Sequence, residues 1–354
     1  MKVWIDVLTP KQANFFAELH HRLNARGFKI LVTTREYREV NELLELRGLK
    51  SVQIGRHGGA ALGEKLVESS IRILGLTKAV EEYRPDVAIS FSSPEAARVA
   101  FGLKIPHYCV SDSPHAEAVC KLTIPISQKL FTPWVIPFWA WKRYGMNPRD
   151  IVRYHALDPK VWLTSYKSSP RVLDGLKLDP AKPVMVIRTP EEFAAYLSDR
   201  VPSAPSTAAD IIARVLDLDD GSLQIVVLPR YDVQGEKFRK RFGSRIVVPE
   251  HIIDAIALMR ISLVFVGGGG TMTAEAALLG VPVISYYPGE PTFVERFLIN
   301  QGLVDRILDP ARIAQRVVTV AKNRDTEFYR KKSVKLMDSM DDPLKIIIQR
   351  IFRR

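Results

Sequence analysis

The sequence predicts two doubly wound α/β domains that face a cleft, each a parallel sheet with helices on both of its faces. Short β-branched runs alternate with apolar residues at helical spacing, the alternation pauses over residues 146–180, and it restarts at residue 183. A chain of 354 residues is long enough for two domains. We therefore predict an N-terminal domain over 1–165, a C-terminal domain over 166–340, and a terminal helix over 341–354 that returns to the first domain.

The first half carries six predicted strands with helices between them. The helix over 11–27 is typical: Phe15, Phe16, Leu19 and Leu23 recur at helical spacing, and Gly27 ends it. Ser93 and Pro94 are an N-cap and first-turn pair that opens a later helix. The predicted strands are 3–8, 28–34, 51–54, 84–91, 105–110 and 129–136, and the other helices are 36–47, 62–83 and 93–103.

The second half repeats the alternation after a loop-rich stretch. Residues 146–180 contain the turn sequences NPRD, LDPK, KSSP and LDPAKP, so we interpret them as a linker. The predicted strands that follow are 183–189, 223–229, 245–249, 262–267 and 281–287. In sheets of this kind, ligands bind beyond the carboxyl ends of the strands.

Composition and charge exclude several classes of protein. The hydrophobic content of 47% excludes bulk disorder, and only two cysteines, Cys109 and Cys120, exclude a disulfide scaffold and favour a reducing compartment. The net charge of +12 is spread evenly over both halves, so no nucleic-acid-binding arm is predicted. It fits a cleft that receives phosphates, a face near anionic lipid, or an ordinary basic surface. No signal peptide or membrane span is seen, so a cytoplasmic protein is expected.

The strongest local motif is a run of four glycines, Gly267, Gly268, Gly269 and Gly270, between a predicted strand and a helix. Glycines let the backbone approach a ligand closely, and the start of a helix attracts anions, so the motif predicts a diphosphate site. The following TMTAE supplies the hydroxyls of Thr271 and Thr273, the backbone of Met272, and a carboxylate, Glu275, for ribose hydroxyls. No GK[ST] follows, so ATP hydrolysis is not implied. The alternative is a tightly packed structural turn.

This turn with TMTAEAALLGVPVIS resembles the donor-nucleotide motif of glycosyltransferase-B folds, including UDP-N-acetylglucosamine 2-epimerases and MurG-type glycosyltransferases. More narrowly, the chain resembles a largely archaeal domain-of-unknown-function family with that fold. The segments that carry this resemblance are IDVLTPKQANFF, TTREYREVNELLELRG, IGRHGG, PDVAISFSSPEAARVAFGLKIPHYCVSDSP, RYHALDPKVWL and IRTPEEFAAYL. It covers nearly the whole chain and implies two Rossmann-like domains, with UDP or a similar nucleotide carrying the sugar.

Within that resemblance, further residues become nucleotide- or sugar-binding candidates. Arg188 and Arg230 end two strands of the second domain and can pair with phosphate, and His251 lies where this fold holds the base. Glu290, in YPGEPTF, can meet a sugar hydroxyl. For each of them the alternative is an ordinary surface loop or exposed turn.

The first domain supplies the catalytic candidates. Asp112 and His115 follow a predicted strand in SDSPHAEA and form a potential general-base pair, and His57 in GRHGG is the reserve. Relatives often have a histidine after the first strand, but this chain has Lys11 and Asn14 there, which we assign to the sugar or acceptor. The alternatives are a turn that caps the next helix and a flexible crossover loop.

No metal site is predicted, because the histidines are scattered and His20 and His21 lie on different faces of a helix. The resemblance likewise implies a metal-independent enzyme without a cofactor. The aromatic stretch 129–146 and the basic terminal helix either pack into the protein or touch an anionic membrane surface that presents a lipid-linked acceptor.

Three functions remain open. The leading hypothesis is a nucleotide-sugar-dependent glycosyltransferase, with the donor on the second domain and the acceptor on the first. A nucleotide-sugar 2-epimerase is the second, although the epimerases usually have a histidine where this chain has Arg188. The third is a non-catalytic nucleotide-binding subunit of the same fold.

Overall fold

The computed structural model describes residues 1–59, 61–166, 175–189, 205–251, 253–324 and 326–352. The chain divides into two compact units: the first unit comprises Met1–Thr164 and Met340–Arg354, and the second comprises Ser165–Ser339. Each unit holds one parallel sheet with helices. The predicted α/β class, with two parallel sheets, is confirmed.

The first unit contains a seven-stranded sheet in the order β3-β2-β1-β4-β5-β6-β7. Its strands are β1 (Lys2–Asp6), β2 (Lys29–Glu36), β3 (Val52–Arg56), β4 (Val87–Ser90), β5 (His107–Val110), β6 (Lys129–Pro133) and β7 (Ile151–Tyr154). The chain proceeds from β1 towards one edge and then returns to place β4 on the other side of β1. The position between β1 and β4 is therefore the topological switch point, where such sheets bind ligands.

Helices connect these strands, and local sequence fixes where they begin. They are α1 (Pro10–Asn24), α2 (Arg38–Leu46), α3 (Leu62–Tyr83), α4 (Pro94–Gly102), α5 (Glu117–Thr123), α6 (Phe138–Lys142) and α7 (Lys160–Leu163). The predicted Ser93 cap is present, because its hydroxyl accepts from the Ala96 amide at 3.2 Å. Leu76 of α3 and Val99 of α4 pack with Trp4 of β1 in one apolar cluster.

The second unit contains a five-stranded sheet in the order β12-β11-β10-β8-β9. Its strands are β8 (Val184–Arg188), β9 (Gln224–Leu228), β10 (Val264–Gly267), β11 (Val283–Ser285) and β12 (Val304–Arg306). Its helices are α8 (Pro205–Leu218), α9 (Asp232–Phe242), α10 (Ala255–Ile261), α11 (Thr271–Leu278), α12 (Phe293–Asn300), α13 (Pro310–Asn323) and α14 (Glu327–Ser339). Here the switch point lies between β8 and β10.

The terminal helix α15 (Pro343–Phe352) belongs to the first unit. Leu344 and Ile347 are fully buried, and the Phe352 ring lies 4.7 Å from that of Phe28. The apolar face of this helix is therefore packed inside the unit. In the aromatic stretch Trp141 is buried, whereas Trp139 is 62% exposed. In the part of the chain that the structure describes, no helix has the length and apolarity needed to cross a bilayer.

Three secondary-structure predictions are wrong. The stretch 146–180, interpreted as a linker, contains β7 and α7 among its described residues, and Pro159 is the N-cap residue of α7. The predicted strand 245–249 has only one bridge, Val226 to Val247. The short strand β12 was not predicted. Residues 190–197 of the motif IRTPEEFAAYL lie outside the described residues.

His107 of β5 provides a pH-dependent contribution to stability. Its ring is buried between the hydroxyls of Ser90 and Ser127, at 2.9 and 2.8 Å. Burial lowers the pKa of His107 from 6.5 to about 4, against an opposing effect of Asp6. Below pH 6.5 the unfolded chain therefore binds a proton that the folded protein does not, and stability is lost as the pH falls towards 4.

We expect this histidine to remove about 2 kcal/mol of unfolding free energy between pH 7 and pH 5. Urea denaturation of the wild type and of His107→Gln at both pH values measures it, because the glutamine amide does not titrate but can still bond to both serines. The loss should be smaller in the variant by about that amount. Equal losses in the two proteins would contradict the prediction.

Candidate functional site

The first unit has an open cavity of about 590 Å³ at its switch point. Leu8 and Thr9 after β1, Phe91 and Ser92 after β4, and Asp112 after β5 line it. We call it the first-unit cavity. Because it lies beyond the carboxyl ends of the central strands, it occupies the position where this architecture binds ligands.

Gln12 of α1 holds two loops of the cavity together. Its side-chain oxygen accepts from the Leu8 amide at 2.7 Å, and its amide nitrogen donates to the Phe91 carbonyl at 3.0 Å. Ser92 adopts φ of +54°, a left-handed conformation that is uncommon for a residue with a side chain. The loops after β1 and β4 are thus fixed relative to each other before any ligand binds.

A buried charge cluster forms one side of the cavity. The Lys11 ammonium group contacts the Asp112 carboxylate and lies 2.7 Å from Oδ2 of Asp158. Tyr154 donates its hydroxyl to the other Asp158 oxygen at 2.5 Å. Lys11 also lies over the Phe91 ring, 4.4 Å from its centroid. One ammonium group therefore holds two carboxylates that come from different loops.

The two carboxylates differ in access and in proton affinity. The Asp112 side chain is 21% exposed and that of Asp158 only 1%. Burial works against ionisation of Asp112, but Lys11 outweighs it and holds the pKa of Asp112 below its ordinary value. Burial, with the charge of Asp112, raises the pKa of Asp158. The carboxylate that faces the cavity, Asp112, is thus ionised at neutral pH.

The other first-domain candidates have different surroundings. His57 lines the same cavity, and its Nδ1 accepts from the Gly59 amide at 3.1 Å. His115 is exposed and lies outside the cavity lining. Asn14 is buried on α1 and accepts from Nε of Arg47 at 3.2 Å, so it packs towards α2 instead of the cavity. The structure brings Lys11, His57 and Asp112 together and leaves Asn14 aside.

The glycine run of the second unit lies at the other switch point. Gly267 pairs in register with Arg188 of β8 and with Ser285 of β11, so three strand ends meet there. Gly269 and Gly270 have φ of +81° and +90°, which side chains disfavour. A Cβ at Gly269 would lie 3.3 Å from Cβ of Tyr287. The backbone here is thus close-packed on one side and shaped by glycine.

The helix α11 begins directly after this turn, with Gly270 as its N-cap residue. The first amides of a helix have no intrahelical acceptor, so those of Thr271 and Met272 carry the positive end of the helix dipole towards the turn. Both residues are partly exposed, whereas Thr273 and Glu275 are buried. The available donors at this turn are therefore mainly backbone groups.

The remaining second-domain candidates are only partly assembled around the turn. Arg188 donates to the Pro229 carbonyl at 2.8 Å, and its own carbonyl accepts from the Tyr286 hydroxyl at 2.7 Å. Burial raises the pKa of Tyr286 against the opposing charges of Arg230 and Arg188, so both guanidinium groups lie near it.

In contrast, the candidates His251 and Glu290 are exposed, and Glu290 pairs with Arg296 at 3.3 Å.

Sequence reasoning missed a buried carboxylate under the glycine turn, Glu295. Its Oε1 accepts from the Ser285 hydroxyl at 2.5 Å. Its Oε2 is buried, has no hydrogen-bond partner among the described residues, and lies 3.4 Å from where a Gly269 Cβ would be. Burial raises the pKa of Glu295. The sequence contained one signal for this helix start. Thr292 is followed three residues later by Glu295, the spacing of a capping box, and the Glu295 amide donates to the Thr292 hydroxyl at 3.2 Å.

Asp158 was missed for a different reason. The β-branched run Ile151–Tyr154 was assigned to a linker, so the Asp-Pro pair that follows was interpreted as a turn. Recognising β7 would have placed Asp158 at the carboxyl edge of the sheet. The described part of the chain contains no group of three or more His, Cys, Asp or Glu side chains arranged to hold a metal ion.

Solved structures with a similar fold include UDP-GlcNAc 2-epimerases and a rhamnosyltransferase. UDP-GlcNAc 2-epimerase from Neisseria meningitidis, bound to UDP-GlcNAc, has a TM-score of 0.76 at 17% identity, with 100% of both chains covered. The 2-epimerase from Methanocaldococcus jannaschii, in complex with UDP-GlcNAc and UDP, has a TM-score of 0.71 at 15% identity and 99% coverage of both. The spinosyn rhamnosyltransferase SpnG has a TM-score of 0.61 at 16% identity, covering 98% of this chain and 99% of its own. These likenesses confirm the glycosyltransferase-B-like fold.

A closer relative by sequence is the uncharacterized protein MJ0665 of Methanocaldococcus jannaschii. It is 29% identical over 356 residues, which cover 99% of this chain and 98% of that protein. The expected family is confirmed: residues 1–354 match one family model over their whole length, and the chain belongs to the family described as "Protein of unknown function (DUF354)".

Proposed function

We propose that this protein transfers a glycosyl group from a nucleoside-diphosphate sugar, such as a UDP-sugar, to an acceptor. The observation that carries the proposal is the glycine turn before α11, located at the switch point of the second sheet. Backbone amides and a helix dipole meet there beside the strand-end Arg188. This arrangement suits a diphosphate, whose negative charge grows as the sugar departs.

The first-unit cavity supplies the group needed on the acceptor side. An acceptor hydroxyl reacts faster when a positioned base removes its proton. Asp112 is ionised, partly exposed and lines the cavity, while Lys11 and the Ser113 hydroxyl hold it in place. The other lining carboxylates already serve as partners, since Glu68 pairs with Arg56 at 2.7 Å and Glu95 accepts from Ser93 at 3.4 Å. Asp112 is therefore our candidate base.

A nucleotide-sugar 2-epimerase is the second candidate, because the epimerases named above have higher TM-scores than the rhamnosyltransferase. Epimerisation by elimination and re-addition needs proton transfer at the sugar on more than one side. Among the described residues, the cavity offers one candidate base, Asp112, whose partners are Lys11 and the Ser113 hydroxyl, which donates to its Oδ1 at 2.8 Å. In addition, β8 ends in Arg188, where the epimerases usually have a histidine. This set of side chains favours glycosyl transfer over epimerisation.

The two candidate functions, glycosyl transfer and 2-epimerisation, can be distinguished with the purified protein alone, without knowledge of the acceptor. Calorimetry with UDP and a panel of UDP-sugars tests whether the donor binds. Proton NMR of the bound UDP-sugar, incubated alone, then reports epimerisation, which needs no second substrate. We expect UDP to bind and no epimer to form. Formation of an epimer would establish the second candidate, and no binding of any nucleoside diphosphate would refute both.

A further inference from the structure

Arg35 is a cation without a matching anion in the wall of the first-unit cavity. It lies near the carboxyl end of β2, it is half-buried, and its Nε is buried with no hydrogen-bond partner in the described part of the chain. Burial lowers the pKa of this guanidinium, and Glu95 opposes that effect only in part. Because a half-buried guanidinium without a hydrogen-bonded anion destabilises a folded protein, its retention at a cavity favours an anionic ligand.

The charged side chains around Arg35 already form ion pairs with one another. Three ion pairs account for them: Arg72 with Asp6 at 2.6 Å, Arg56 with Glu68 at 2.7 Å, and Lys11 with Asp112. Glu95 lies 3.8 Å from Arg72, so its ion-pair partner is also not Arg35. No carboxylate among the described residues hydrogen-bonds to Arg35, and a neutral sugar in the cavity would not replace one.

We propose that the first-unit cavity binds a phosphate group and that Arg35 is its principal counter-ion. A guanidinium offers paired N–H donors that match two phosphate oxygens. Lys65 also lines the cavity, and the loop before it approaches closely: a Cβ at Gly58 would lie 2.5 Å from Cα of Lys65. The helix α3 starts after Ala61, whose side chain has no acceptor to cap the first amides. A second cation, Lys65, thus lines the same cavity as Arg35 and stands near the start of α3.

The rim of the cavity indicates where this phosphate comes from. Leu66 and Leu122 line the cavity and are 70% and 60% exposed, and Val119 lies with them. A phosphate on a soluble sugar would not use these apolar side chains, whereas a phosphate on a lipid would place its chain against them. The chemistry at Arg35 is the same in both cases, so the experiment must separate the two sources.

This inference rests on the proposed function only where it assigns the phosphate to the acceptor. The site itself is tested with sodium pyrophosphate, titrated calorimetrically at low ionic strength. To remove binding at the second unit, the titration uses the Gly269→Val protein, with and without Arg35→Gln. The matched control is Arg149→Gln, an exposed arginine of the same unit outside the cavity. We expect Arg35→Gln to weaken binding at least tenfold and Arg149→Gln to change it less than twofold.

Thermal unfolding shows whether a loss of binding is only a loss of folding. Without phosphate, Arg35→Gln should melt no lower than its parent, because the substitution removes an unpaired charge. With pyrophosphate, only the parent should be stabilised. A lower melting temperature of Arg35→Gln in phosphate-free buffer would show that Arg35 has a structural partner, and the proposal would fail.

Vesicle sedimentation tests the lipid source, using phosphatidylcholine with and without phosphatidic acid. Binding that needs both phosphatidic acid and Arg35 supports a lipid-borne phosphate even if free pyrophosphate does not bind. Pyrophosphate binding that depends on Arg35 without such sedimentation supports a soluble ester. If neither probe depends on Arg35, the site is refuted. If the wild-type protein does not bind UDP but the Arg35-dependent binding persists, the proposed function is refuted and this site remains.

Discussion

Gly269→Val is expected to abolish UDP binding, lowering the affinity by more than 100-fold while the protein stays folded. At φ of +81° a β-branched residue is strained, and its Cβ would press against Tyr287 at 3.3 Å. The turn must therefore shift, and the amides at the start of α11 move with it. Because a diphosphate is held mainly by such fixed backbone donors, a small displacement removes most of the binding.

The matched control for this variant is Gly221→Val. Gly221 also belongs to the second unit and has φ of +87°, but a Cβ there would meet nothing within 4 Å. Both substitutions carry a left-handed strain of about 1–2 kcal/mol, so both should lower the melting temperature. Only Gly269→Val should lose UDP in calorimetry. Unchanged affinity in that variant would show that the glycine turn is structural and would remove the main support for the proposed function.

The glycine turn also shows how far the sequence can predict a site. Its position could be predicted because a run of four glycines indicates a turn with an unusual backbone conformation or a close approach to a ligand. The flanking strand and helix also have regular hydrophobic patterns. Arg188 could be placed beside it because both residues end parallel strands, and Gly267 and Arg188 are indeed register partners. Such predictions depend on local sequence patterns, together with the rule that parallel strands end at the same edge of a sheet.

The charge clusters could not be predicted in the same way. Lys11 meets Asp112 and Asp158 only because α1, the loop after β5 and the loop after β7 converge, and no local pattern links residues 101 or more positions apart. Arg35 was not singled out from the sequence, because its lack of a hydrogen-bonded anion depends on which carboxylates the other arginines bind. Asn14 shows the converse: it is near the site in sequence, but its side chain packs against Arg47.

Asp112→Asn is expected to lower kcat for glycosyl transfer by about 10²–10⁴-fold, the usual contribution of a positioned base. Folding should survive, because Lys11 keeps its contact with Asp158 and the amide preserves the size of the side chain. The pH profile gives a second readout. Because the pKa of Asp112 is held below its ordinary 3.8, kcat/KM should stay level from neutral pH to about pH 5 and fall only in stronger acid.

The control for this substitution is Asp150→Asn, which removes another carboxylate paired with a lysine in the same unit, at 3.2 Å from Lys129, but outside the cavity. Its kcat should remain within twofold of the wild type. If Asp112→Asn also retains most of its kcat, the carboxylate only positions Lys11, and His57→Gln becomes the next test because His57 lines the same cavity. A base at His57 would lower kcat by about 10²–10⁴-fold in His57→Gln and leave Asp112→Asn close to the wild type. The variant in which kcat falls therefore distinguishes the two bases.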